Sequence, residues 1–137
     1  SELERIDASG TAVLTPGTDI ANARLLFKNG CVANVTASRI SLKTERKMRL
    51  FRPSSYVSVD FQNRVLTKHQ TGPKEMFPGI PEIVTEESVF ESGDALMEEI
   101  KHFIACVNSG EKPLVSGEAG RRALETAIKI AQLLGEK

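Results

Sequence analysis

The sequence predicts an α+β fold: an open, mainly antiparallel sheet of about six strands with two C-terminal helices packed on one face. Runs with a period near two occupy residues 20–70 and 83–90, and short turn signals separate them. The last third then changes to the 3.6-residue period of helices. Short turns join neighbouring strands only in the antiparallel sense, which fixes the character of the sheet.

The first hairpin is predicted from Ile20 to Phe27 and from Cys31 to Ser41, around Asn29-Gly30, which adopt the positive φ of a tight turn at little cost. Lys47 to Phe51 and Tyr56 to Phe61 flank Arg52-Pro-Ser-Ser55, and Gln62-Asn63 leads into Arg64 to Gln70. Residues 71–81 hold three prolines and two glycines, so they are expected to leave the ladder as a surface excursion. Ile83 to Phe90 is the last predicted strand.

The first helix is expected to start at Asp94, to present Leu96, Ile100, Phe103, Ile104 and Val107 on one face, and to stop at Gly110 and Pro113. Ser116 is the expected N-cap of the second, whose stripe is Ala123, Leu124, Ala127, Ile130, Ala131 and Leu134. In the sheet, Val57, Val59 and Phe61 oppose Tyr56, Ser58 and Asp60, while the first hairpin is partly apolar on both faces. Two helices cover one face, so the other is expected to meet a loop or a second subunit.

A chain of 137 residues with 40% apolar content bounds one domain, residues 1–137. Its 18 basic and 18 acidic residues cancel, which excludes a global field drawing it to nucleic acid or anionic membrane. No apolar run approaches the roughly 20 residues of a membrane span, and the polar start Ser1-Glu-Leu-Glu-Arg5 is unlike a signal peptide. A cytoplasmic protein is expected. The start lacks Met and lies in charged sequence, which suggests a piece of a longer protein. Cys31 and Cys106 have no metal or disulfide spacing and are expected to be buried free thiols.

There is no Gly-x-Gly-x-x-Gly, Walker loop, Gly-x-Ser-x-Gly or His-Glu-x-x-His. Glu98, Glu99, His102 and Cys106 share a helix, but a carboxylate metal site needs a second such motif, so no metal is expected. His69 is given no role. Arg39, Lys43, Arg46, Lys47, Arg49 and Arg52 face one acid, Glu45, in the same stretch. Alternation splits these side chains between faces and acids follow in 74–99, so a nucleic-acid footprint is not expected. An anionic small substrate such as a nucleotide sugar and a solvated, ion-paired surface both fit.

Two blocks carry a family resemblance. Asp19-Ile-Ala-Asn-Ala-Arg-Leu-Leu-Phe-Lys-Asn-Gly-Cys-Val-Ala-Asn-Val-Thr-Ala-Ser-Arg39, and the helix pair around Asn108-Ser-Gly-Glu-Lys-Pro113 and Val115-Ser-Gly-Glu118, resemble the C-terminal substrate and oligomerisation domain of the Gfo/Idh/MocA oxidoreductases. Between them, Glu45-Arg-Lys-Met-Arg-Leu-Phe51 and Tyr56-Val-Ser-Val-Asp60 are similar to its sugar-nucleotide members.

The resemblance implies a C-terminal fragment of an NAD(P)-dependent enzyme that moves hydride between a nicotinamide and a carbinol of a sugar, nucleotide sugar or cyclitol. The fragment itself would serve substrate binding and form a homodimer or larger assembly through the open sheet face. The family's Rossmann domain, with its Gly-rich loop and catalytic lysine, is absent from these residues, so no catalytic or cofactor-binding residue is assigned and NAD or NADP belongs to the parent protein. Lys112 of Glu111-Lys-Pro113 lies between the helices and does not inherit the lysine's role. The loop after the Ser-Arg strand approaches substrate in the family, which makes Arg39, Lys43 and Arg46 the expected substrate contacts. The rival reading is a stand-alone, self-associating module without catalysis.

Overall fold

The computed structural model describes residues 1–135 and divides them into two compact units, 1–42 with 102–135 and 43–101. The α+β class holds. Seven strands precede two helices, and the strands form two ladders, of three and four, rather than the single sheet that alternation alone suggests.

In the first unit, β1 (Leu3–Thr11), β2 (Ile20–Phe27) and β3 (Val32–Ser38) pair antiparallel in that order. The β2–β3 turn is the expected one, with Gly30 at φ 81° and the Phe27 amide donating to the Cys31 carbonyl at 2.9 Å. β1 has no counterpart among the strands predicted from the sequence. Its apolar alternation is thin, because Ile6 and Ala8 lead only to Gly10, and a register shift between Leu3 and Arg5 breaks the pattern at its start. Ala23 and Leu25 of β2, the central strand, are buried. Cys31 sits in the turn and is exposed, contrary to expectation, whereas Cys106 is buried; both thiols are free.

In the second unit, β4 (Lys47–Arg52), β5 (Ser55–Asp60), β6 (Val65–Phe77) and β7 (Ile80–Val89) form a meander with β4 and β7 at its edges. Residues 71–81 do not leave the ladder. β6 and β7 run through them, because each proline falls where a ladder amide is dispensable. Pro73 lies in the register break between Thr71 and Glu75, Pro78 is in the turn with Gly79 at φ 78°, and Pro81 pairs with Glu75 between two shifts.

α1 (Ala95–Ser109) begins as expected, with Asp94 Oδ1 accepting from the Leu96 and Met97 amides at 3.1 Å, and Gly110 follows it at φ 73°. Its stripe of Leu96, Ile100, Phe103, Ile104 and Val107 is exposed rather than packed. α2 (Gly117–Leu133) is capped by Ser116 Oγ, which accepts from the Ala119 amide at 3.3 Å, and it packs on β1. Neither helix is long and apolar enough to cross a membrane.

Candidate functional site

In the first unit, the connection 12–18 is wound round the carboxylate of Asp19. Oδ2 accepts from three consecutive amides, those of Val13 at 2.8 Å, Leu14 at 2.6 Å and Thr15 at 2.8 Å, while Oδ1 accepts from Thr15 Oγ1 at 2.7 Å. Donors aimed at the charged form favour it over the acid, even though Asp19 is buried. The Thr15 amide above all, then the Val13 amide and the Thr15 hydroxyl, hold this carboxyl far below the usual carboxylate range.

Arg39 follows β3 and closes over the same group. Its Nη2 donates to the Thr18 carbonyl at 2.8 Å, and its Nε lies 3.5 Å from Asp19 Oδ1. The side chain is nonetheless 61% exposed. It stands beside a cleft of about 480 Å³ whose floor is Ala21, Ala23, Val35 and Ala37 and whose wall is Ile130 and Ala131 of α2. Ala21, Ala23, Ala37, Ala127 and Ala131 supply much of this lining.

Lys43 and Arg46 belong to the second unit. Lys43 lines a polar hollow of about 280 Å³ together with Glu45, Lys47, Asp60 and Asn63. Asp60 anchors it: Oδ1 accepts from the Gln62 and Asn63 amides at 3.0 Å, Oδ2 from Asn63 Nδ2 at 3.0 Å, and Lys47 Nζ lies 3.6 Å away. The Asn63 amide, then its side chain and the Lys47 charge, hold the Asp60 carboxyl below its ordinary value. Arg46 contributes its carbonyl to the Phe61 amide at 2.8 Å, which pins the entry into β4, and is exposed.

Two arrangements lie outside the expectations drawn from the sequence. Tyr56 stacks on Phe51, with centroids 5.3 Å apart and planes at 24°, and on His69 at 4.2 Å and 22°. His69 Nδ1 is also 2.9 Å from Thr85 Oγ1. The register of the hairpins was the signal that could have found this row, since Phe51 pairs with Tyr56, Tyr56 with His69 and His69 with Thr85. In the first unit, His102 Nε2 accepts from the Leu114 amide at 3.0 Å and lies 3.6 Å from Cys106 Sγ, which ties the interhelix loop to α1.

Among the described residues no three His, Cys, Asp or Glu side chains are placed to hold a metal ion. Nor do these residues fit a nicotinamide dinucleotide. Every strand pair is antiparallel and both helices follow the last strand, so there is no strand–turn–helix crossover to set amides against a pyrophosphate.

No family model matches the chain. It is, however, 36% identical over 125 residues to the UDP-N-acetylglucosamine 3-dehydrogenase of Acidithiobacillus ferrooxidans, a match that spans 91% of this chain and 40% of that protein. The chain is thus similar to part of that dehydrogenase.

Solved structures show the same likeness. One crystal form of that dehydrogenase superposes with a TM-score of 0.87 at 34% identity, over 97% of this chain and 42% of the other. A second form gives 0.80 at 32% identity, over 97% and 40%. The aldose-aldose oxidoreductase of Caulobacter crescentus shares the fold, with a TM-score of 0.72 at 20% identity over 93% and 38% of the two chains. The chain thus spans about 40% of the length of the relatives it matches, and what it matches is part of an oxidoreductase.

Proposed function

We propose that residues 1–137 act as the substrate and self-association domain of an NAD(P)-dependent oxidoreductase that acts on a nucleotide sugar by hydride transfer. The observation that carries this reading is the 36% identity over 125 residues to a UDP-N-acetylglucosamine 3-dehydrogenase. The described residues do not fit the nicotinamide, so the reading assigns NAD or NADP to other parts of the enzyme and gives this chain no catalytic residue. Arg39, Lys43 and Arg46 contact the anionic substrate in this reading. All three are exposed cations, and Lys43 already borders a polar hollow.

Self-association through the sheet is supported by apolar surface. Met48 and Leu50 of β4 share one face with Val57 and Val59 of β5, and Leu50 is more than half exposed. The exposed stripe of α1 supports contact with further parts of the enzyme. A cytoplasmic location completes the proposal, in keeping with two free thiols.

Calorimetric titration of the chain tests it. UDP-N-acetylglucosamine is expected to bind, and NAD and NADP alone are not. Nicotinamide binding without the sugar nucleotide would overturn the division of labour, and no heat with UDP-N-acetylglucosamine at millimolar concentration would overturn the substrate role.

A further inference from the structure

Side chains that are direct register partners share a face of the sheet, so on the β4–β7 meander they line up in rows across the strands. One row is Phe51, Tyr56, His69 and Thr85; the next is Arg49, Ser58, Thr67 and Glu87. The first row is a stack held from one end. Thr85 Oγ1 fixes His69, His69 stacks on Tyr56, and Tyr56 stacks on Phe51.

The stack stops at Phe51 because β4 is an edge strand. Among the described residues no ring other than Tyr56 stacks on Phe51, and the residue is 75% exposed. A large apolar ring, ordered from behind and open in front, is a surface on which another flat π system can be laid with little loss of side-chain freedom.

Arg49 lies on the same face two residues before Phe51, about 7 Å along the strand. Its neighbours are engaged: Lys47 with Glu45 and Asp60, and Arg52 Nε with Ser55 Oγ at 2.8 Å. Among the described residues Arg49 has no side-chain hydrogen bond or ion pair; the acid of its own row, Glu87, lies three strands away, about 14 Å. A fork of guanidinium donors beside an open aromatic face matches the two ends of a nucleotide, which joins a flat base to a phosphate chain.

We propose that the β4 edge is a nucleoside diphosphate subsite, in which the base extends the ring row on the outer face of Phe51 and the diphosphate is held by Arg49. The subsite rests on the nucleotide-sugar reading above and names where that ligand's nucleotide half sits. A flat apolar partner is a poorer fit, because the row beside the rings is Arg, Ser, Thr and Glu rather than apolar.

The test is calorimetry and sedimentation on the full chain with UDP, uridine, N-acetylglucosamine and UDP-N-acetylglucosamine, using Phe51→Ala, Phe51→Tyr and Arg49→Gln. Both sites are exposed, so the variants are expected to keep the wild-type circular dichroism. Phe51→Ala should weaken UDP binding roughly tenfold or more, and Phe51→Tyr should restore it. Arg49→Gln should weaken UDP binding and its salt dependence while leaving uridine unchanged.

Equal UDP affinity in Phe51→Ala and wild type overturns the subsite but leaves the nucleotide-sugar reading standing. So does binding of UDP-N-acetylglucosamine that N-acetylglucosamine alone reproduces and UDP does not. A Phe51→Ala variant that loses self-association and keeps UDP affinity overturns it by making this edge an interface between copies. Absence of binding by all four ligands overturns both the subsite and the reading it rests on.

Discussion

Arg39 grips Asp19 at both its backbone and its side chain: the Arg39 amide donates to the Asp19 carbonyl at 3.0 Å, and its guanidinium Nε lies 3.5 Å from the Asp19 carboxylate. The carboxylate in turn gathers the amides of Val13, Leu14 and Thr15. A single buried side chain therefore fixes the β1–β2 loop, and the arginine expected to meet substrate also lids that side chain.

Asp19→Ala removes both acceptor oxygens from the loop. The amide protons of Val13, Leu14 and Thr15 are expected to lose hydrogen-exchange protection, while those of β2 and β3 keep theirs. Retained protection at Thr15 would show that the loop holds itself.

The same carboxylate sets an acid limb. Its folded pKa is depressed, so its contribution to stability is complete above its unfolded value of about 4 and is lost as pH falls through and below that value. Urea midpoints measured from pH 7 to pH 2 should fall more steeply for wild type than for Asp19→Asn. Parallel profiles would contradict the assignment.

Gly10 has no room for a side chain. A Cβ there would lie 2.7 Å from Thr18 Cγ2 and 3.0 Å from both the Ile20 carbonyl and Leu134 Cδ2. Gly10→Ala is expected to cost about 1–3 kcal/mol through overpacking where the end of α2 meets β1. Gly17→Ala, with nothing within 4 Å, serves as the control and should stay within about 0.5 kcal/mol of wild type in urea unfolding.

Ser116 and His102 hold the two ends of the interhelix connection. Ser116→Ala removes the cap of α2 and should cost about 1 kcal/mol, with Ser116→Asp restoring most of it. His102→Ala removes the acceptor of the Leu114 amide and should cost about 0.5–1.5 kcal/mol, with faster exchange at Leu114. Unchanged exchange at Leu114 would count against that bond.

Local chemistry explains what the sequence disclosed. Asn29-Gly30, Asp94 and Ser116 act within a few residues of themselves, and the hairpin and both helix starts lie where those residues predict. β1 was hidden by weak alternation, and the extension of β6 and β7 was hidden because prolines forbid a ladder only when their amides are required. The site was less legible. Charge and resemblance point to Arg39, Lys43 and Arg46, and the structure places Arg39 in one unit and the other two in the second. That Arg39 serves Asp19 depends on a loop wrapping back over six residues, and the ring row depends on register across three hairpins. Neither shows in a linear pattern.

The central claim is that this chain receives the nucleotide sugar, and amide-resolved NMR titration of the full chain with UDP-N-acetylglucosamine addresses it most directly. Saturable shifts that include Lys43, Arg46, Arg49 and Phe51 are expected. Unchanged spectra at millimolar ligand, or saturable shifts that leave all four residues and Arg39 untouched, would contradict it.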